Sequence, residues 1–382
     1  MLEIPHPIRR SAPPVPGTSH RVGHARHSPG LTNESPRSAT CSAHSSIERD
    51  VTAPSDSPSG SRPPIDLGRA NPSRAEGFAI QDFDDDLRLT CPINADGIAN
   101  RWLRAYIPLP DQKVKEYSDT TKSFLHRMVQ SYVAVTIRGR GYPPFIHASQ
   151  VAAHLVRPPL STCLSLVRIC EHQLPGSEGT AADVLQREMN NLYEQRDSYD
   201  TITLLCAFQA YLIFTMVLFF RLGQIASPLL RQAVMNLQEL ACANAKSGLV
   251  CEAEHQWQRP RWESWIVAEA SRRTLYTMYL FDGILSAHDG VPTFVGTELR
   301  GLPAPASQTL WRAQTRPDWE ASYNLHLAEW SEGGLRIDEL WRAPEDFSDT
   351  DVMKRRDRVD HWLEGLDEFG TMLYAVTNST HG

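Results

Sequence analysis

The sequence predicts an all-α fold, a large multi-helix body behind a disordered N-terminal tail, and three observations carry the prediction. Apolar residues recur at helical spacing in segment after segment from Asp96 onward. No stretch alternates polar and apolar as a half-buried strand must. Hydrophobic residues make up 41% of the 382, sufficient for a sizeable core. The boundaries that follow are a tail over 1–75, an acidic-hydrophobic linker over 76–92 and a helical body over 93–382.

Residues 1–75 are crowded with Pro, Ser, Arg and His, as in "HPIRRSAPPVPGTSHRVGHARHSPG". Such a segment buries too little apolar surface to offset its ordering entropy. His20, His24 and His27 have a spacing that could touch a metal, but in a flexible tail they read as a solvated, weakly basic run. The N-terminus has no apolar h-region, so no secretory signal is expected. Its Arg- and Ser-rich composition hints at a mitochondrial transit peptide, yet Pro5, Pro7, Pro13, Pro14 and Pro16 would break the helix such a peptide needs. Without a secretory route the sequon Asn378-Ser379-Thr380 carries no meaning.

Between Phe78 and Leu89, "FAIQDFDDDLRL" interleaves Phe78, Ile80, Phe83, Leu87 and Leu89 with Asp82, Asp84, Asp85 and Asp86. Activation segments use this pattern to dock on partner grooves, and a plain acidic linker is the simpler reading.

The helices follow in order. "DGIANRWLRAYIPLP" places Ile98, Trp102 and Ala105 on one face and stops at Pro108 and Pro110. "DTTKSFLHRMVQSYVAVTIR" gives a stripe of Phe124, Met128 and Tyr132 behind a cap at Asp119 or Thr120. Gly139, Gly141, Pro143 and Pro144 then forbid a continuing helix. "LSTCLSLVRICEHQL" and "TAADVLQREMNNLYEQRDS" are helix-like and separated by "PGSEG". "ITLLCAFQAYLIFTMVLFF", Ile202 to Phe220, is long and apolar enough to span a membrane, and a single-pass tether is the alternative it raises. Gln209 at mid-span, Thr203, Thr215 and the absence of an aromatic belt favour a buried bundle helix instead, so no membrane partner is expected. "SPLLRQAVMNLQELACANAKSG" carries Leu229, Ala233, Leu237 and Leu240 on one stripe and ends at Gly248. "MKRRDRVDHWLEGLDEFGTMLYAV" keeps helical spacing through Val359, Leu363 and Leu366. Its cluster Lys354, Arg355, Arg356 and Arg358, interrupted by Asp357, reads as a solvated face or a nuclear address.

"WESWIVAEASRRTLYTMYLFDGILS" reads as a buried helix with three charges in its first half. Glu269 stands three residues before Arg272 and four before Arg273, so both guanidiniums reach its carboxylate. A charge taken inside must be paired. The chain has no G-x-S-x-G, H-E-x-x-H, G-x-x-x-x-G-K or G-x-G-x-x-G, so these charges read as structural and the chain as no enzyme. A site assembled from distant residues such as His147, His172 and Asp282 is the one enzymatic alternative. The seven cysteines, at 41, 91, 163, 170, 206, 242 and 251, lack the short paired spacing of a zinc site, and most read as small buried hydrophobes. A net charge of −7 offers no whole-chain basic footprint for nucleic acid.

Four segments in order carry a resemblance: "PPFIH" (Pro143, Pro144, Phe145, His147), Trp262-x-x-Trp265-x-x-x-Glu269-x-x-Arg272-Arg273-Thr274, "PAPASQTLWRA" (Pro303 to Ala313) with Trp319 beyond, and "DEFGTMLYA" (Asp367, Glu368, Phe369, Gly370 onward). Over residues 92–382 the chain resembles the regulatory domain of fungal zinc-cluster transcription factors. The resemblance implies an all-helical regulatory region, a nuclear location and control of RNA polymerase II transcription. It implies contacts with the transcription machinery or other regulators, and room for a small-molecule effector. In that family DNA is contacted by a separate module holding two zinc ions on six cysteines. Here only Cys41 precedes Cys91, and residues 1–75 carry no heptads for the linking coiled coil. The expectation is therefore either a truncated gene model or a regulator that reaches DNA only indirectly, with zinc as a cofactor only if an upstream module is missing.

Fused to a heterologous DNA-binding module, residues 76–92 separate their two readings in a reporter assay. A flat signal leaves the plain linker.

Overall fold

The computed structural model describes residues 86–382 apart from 108–109, 111–112, 116, 153–155, 173 and 382. The tail, and the linker as far as Asp85, lie outside the described residues. What is described is the all-α body the sequence predicts, with four two-residue strands added.

β1 (Leu89–Thr90) leads into two single-turn helices, α1 (Asp96–Ala99) and α2 (Arg101–Arg104), then β2 (Val114–Lys115). α3 (Asp119–Ile137) is capped by Ser118, whose hydroxyl accepts from the Thr121 amide, one residue before the expected cap. Its core face is Leu125, Val129, Tyr132, Val133 and Ile137, while Phe124 is exposed. The predicted stripe was thus turned by one position, because α3 has apolar residues on both sides of Tyr132 and only its neighbours decide which side is covered. α4 (Leu160–Leu166) and α5 (Glu178–Glu194) precede α6 (Thr201–Phe220), and α7 (Pro228–Ser247) follows.

Residues 204–219 of α6 are buried without a break, packed by α3, α4, α5, α7 and α9 (Trp262–Asp289). In this fold α6 presents no continuous face to the outside. At roughly 1.5–3 kcal/mol for each large apolar side chain buried, this helix is a main source of stability. Its mid-span Gln209 is satisfied inside. The amide donates to the Phe145 carbonyl at 2.9 Å, and its oxygen accepts from Gln150 at 3.1 Å. Thr215 donates back to the Tyr211 carbonyl. The polarity that argued against a membrane span is the handle that docks the Pro143–Gln150 loop.

β3 (Val250–Cys251) pairs antiparallel with β1, and Leu87 and Leu89 pack on a cluster around Trp265 and Trp319. The end of the expected linker thus belongs to the body. After α8 (Glu252–His255), α9 spans 28 residues, about 42 Å at 1.5 Å per residue, and is buried from Trp262 to Ser286. β4 (Thr293–Phe294) pairs with β2. α10 (Gln308–Trp311), α11 (Arg316–Glu329), α12 (Asp349–Glu364) and α13 (Glu368–His381) complete the body. The periodicity through Val359, Leu363 and Leu366 predicted one continuous helix, but the chain breaks between Gly365 and Asp367. Asp367 caps the new start by accepting from the Gly370 amide at 2.9 Å.

Nor is the basic cluster of α12 simply solvated. Arg355 donates to the carbonyls of Asp338, Glu339 and Trp341, Arg358 pairs with Glu339, and Lys354 pairs with Glu332. These residues clamp the turn at Ile337–Leu340. Cys163, Cys170, Cys206, Cys242 and Cys251 are buried free thiols, as expected, and Cys91 is half-buried.

Gly248 holds φ +130°, and a Cβ there would lie 2.2 Å from that of Leu89. Gly248→Ala should therefore cost about 2 kcal/mol or more, read as a lowered thermal midpoint, with α7 helicity retained by circular dichroism.

Candidate functional site: two buried ion-pair knots and an interhelical cleft

α9 brings five charged side chains inside: Glu263, at its first turn, pairs with Arg316, and the other four form two knots. Glu269 Oε1 accepts from Arg273 Nε at 2.7 Å and from the Ala306 amide at 2.9 Å, and Oε2 accepts from Arg272 Nη2 at 2.7 Å. Arg272 Nη1 donates to the Leu249 carbonyl at 2.6 Å. Arg273 reaches Asp367 Oδ2 at 2.5 Å and the Ala306 carbonyl at 3.0 Å, with its guanidinium over Trp311 at 4.3 Å and Phe369 at 5.3 Å. Burial acts to raise the Glu269 carboxyl, but Arg272 and Arg273 outweigh it and hold the group below the ordinary carboxylate range. The i, i+3 and i, i+4 spacing anticipated the pairing. It did not reveal that the knot also draws in Asp367, Glu254, the carbonyls of Leu249 and Ala306 and the Ala306 amide from elsewhere in the chain.

The four segments of the sequence pattern meet at this knot. His147 packs edge-on against Trp311 at 4.9 Å and Trp262 at 6.5 Å. Trp265 packs on Trp319 at 5.5 Å. Ala306 and Asp367 bind the charges directly. Pro143 turns the loop by accepting from the Ile146 amide, and Phe145 is buried beside it. Glu368 points outward, to Arg312. His147 caps the turn at Ala148–Val151: Nδ1 accepts from the Ser149 amide, and Gln150 accepts from the His147 amide. Burial pushes its imidazole down to about 4.

A second knot lies further along α9. Asp282 accepts from Arg101 Nε at 3.1 Å, Glu298 accepts from Arg101 Nη1 at 2.9 Å, and Nη2 donates to the Phe294 carbonyl at 2.7 Å. The guanidinium lies 4.1 Å from the ring centroid of Tyr279, whose hydroxyl donates to Glu298. Burial raises the Asp282 carboxyl despite Arg101, whereas at Glu298 the pull of Arg101 overcomes burial and lowers it. Half-buried Lys115 is pushed down to about 8 by desolvation and then by Arg101. Sequence reading missed this knot, although the signal was present. Asp282 is a lone acid in an apolar run and needs a partner as surely as Glu269 does.

The three residues named for a distant-residue site are not brought together. His147 contacts Trp262 and Trp311, Asp282 is 20 residues beyond Trp262, about 30 Å along α9, and the His172 side chain is exposed. Among the described residues no group of three or more His, Cys, Asp or Glu could hold a metal ion.

Two hollows of ligand size are found among the described residues. One, of about 390 Å³, runs between residues 86–88 and 251–264 and mixes polar and apolar surface, with Arg88 paired to Asp86 and Arg259 to Asn324. The other, of about 350 Å³, opens between α3, α6 and α9. Phe219, Phe220, Leu125, Ile225 and Ile284 line its apolar part. Tyr117, Lys122, His126, Gln130 and His288 supply the polar part. Compared with family models, curated proteins and solved structures, the chain matches none.

Breaking the first knot should cost about 3–5 kcal/mol, because one partner's loss orphans buried charge. Glu269→Ala and Arg273→Ala are expected to lower the thermal midpoint sharply, and an unchanged midpoint in both would contradict the structural role.

The folded His147 binds its proton more weakly than the unfolded chain does. Its contribution is therefore complete above about pH 6.5 and is lost as pH falls toward 4, on the order of 3 kcal/mol. Urea melts across pH 4–7 should show that slope, and His147→Gln should flatten part of it.

Proposed function

We propose that this chain is the helical regulatory body of a fungal-type transcription regulator, acting in the nucleus on RNA polymerase II transcription through protein partners. DNA would be reached only indirectly, or through a zinc-cluster module outside these 382 residues, and zinc would enter with that module alone. No catalytic role is assigned to the chain.

The observation that supports this reading is the convergence of the four resemblance-bearing segments on Glu269, Arg272 and Arg273. Separated by more than two hundred residues of sequence, they behave as parts of one device, which is what a shared regulatory architecture requires of them. The net charge of −7 fits a body that leaves DNA contact to something else.

Tethered whole to a heterologous DNA-binding module, the chain should change the output of a reporter several-fold, up or down. Arg273→Ala should return the reporter to baseline. A reporter indifferent to the stably expressed wild-type fusion argues against the proposal, as does specific DNA binding by the chain alone at about 100 nM and physiological salt.

A further inference from the structure

The cleft between α3, α6 and α9 has the volume of a small-molecule site and a division of labour along its wall. Phe219 and Phe220 meet edge-to-face at 4.8 Å and form the apolar floor. His126 packs edge-on against Phe220 at 5.0 Å, and His288 does the same against Phe219 at 5.8 Å. Two imidazoles are thus fixed at the rim by the floor itself.

Every polar side chain lining the cleft can donate a hydrogen bond, and no acid lines it. Carboxylates outside the lining face these groups: Asp119 is 3.2 Å from Lys122 Nζ, Asp289 is 3.2 Å from His288 Nδ1, and Asp282, together with Arg101, acts on Tyr117. Tyr117 is the most informative member. Its hydroxyl is buried and has no hydrogen-bond partner among the described residues. Gly283 makes room for it, since a Cβ at that position would lie 3.1 Å from the oxygen. Burial raises the phenol above its ordinary value, so the hydroxyl is a donor in want of an acceptor.

We propose that this cleft binds a small organic carboxylate with an apolar body, the body lying on Phe219 and Phe220 and the carboxylate accepting from the Tyr117 hydroxyl. The apolar surface excludes a highly hydrated anion such as phosphate, and the Lys122 ammonium with no acid in the lining disfavours a cation. Lys122, shared with Asp119, supplies a positive charge at the rim. The site goes beyond the transcriptional reading and does not depend on it, because it is defined on the purified chain.

Calorimetric titration of the purified full chain with decanoate, decanol and decylammonium, three probes sharing one apolar body, tests the assignment. Decanoate should bind, with decanol and decylammonium at least about tenfold weaker. Tyr117→Phe should weaken decanoate by about tenfold, the loss of one hydrogen bond to a charged acceptor. Ala287→Phe, which enlarges an exposed α9 side chain on the cleft wall, should abolish binding while leaving circular dichroism unchanged. Should that variant fail to fold, Gln130→Trp fills the cleft from the exposed face of α3. The assignment is overturned if decanoate shows no binding up to about 1 mM, if the filling variant binds it as wild type does, or if decanol binds equally well. None of these outcomes bears on the tethered reporter, so the two proposals fail separately.

Discussion

A charge on a helix with no solvent-facing side must find its counterpart inside, and the arrangement of this protein follows from that constraint on α9. The helix is buried from Trp262 to Ser286 yet carries Glu269, Arg272, Arg273 and Asp282. Leaving any of them unmatched would cost several kcal/mol, so the chain on every side is drawn to supply partners. Leu249, Ala306 and Asp367 arrive at the first knot, and Arg101, Phe294 and Glu298 at the second. Each contact pins a different stretch of chain to one place along α9.

The two long central helices divide the work. α6 is apolar all round and contributes free energy without direction, since dispersion and the hydrophobic effect do not distinguish one apolar neighbour from another. α9 contributes direction, because hydrogen bonds to guanidinium and carboxylate are short and angular. Gln209 is the exception that clarifies the rule. It is the buried amide of α6, and it selects the loop carrying Phe145 and Gln150.

The same division bears on function. The segments that carry the family resemblance gather around the N-terminal half of α9, while the ligand-sized cleft opens on its C-terminal turns at Gly283, Ile284, Ala287 and His288. Between them lies the Arg101–Asp282–Glu298 knot, one residue from the cleft wall.

What the sequence by itself determined was whatever depends on residues three or four apart. The all-α class, the buried character of Ile202 to Phe220, the mutual reach of Glu269 with Arg272 and Arg273, and the stop at Gly248 all follow from local spacing and composition. Tertiary structure alone decided which face of α3 is covered, that the helix after Val359 breaks at Gly365 and restarts on an Asp367 cap, and that Arg355 and Arg358 clamp a turn. It also decided that Arg101, far away in sequence, answers Asp282, and that Tyr117 has a hydroxyl unanswered among the described residues. The physical reason is range. Periodicity records that a side chain must be buried or paired, but which partner meets it depends on how distant parts of the chain close in space, and local spacing does not encode that.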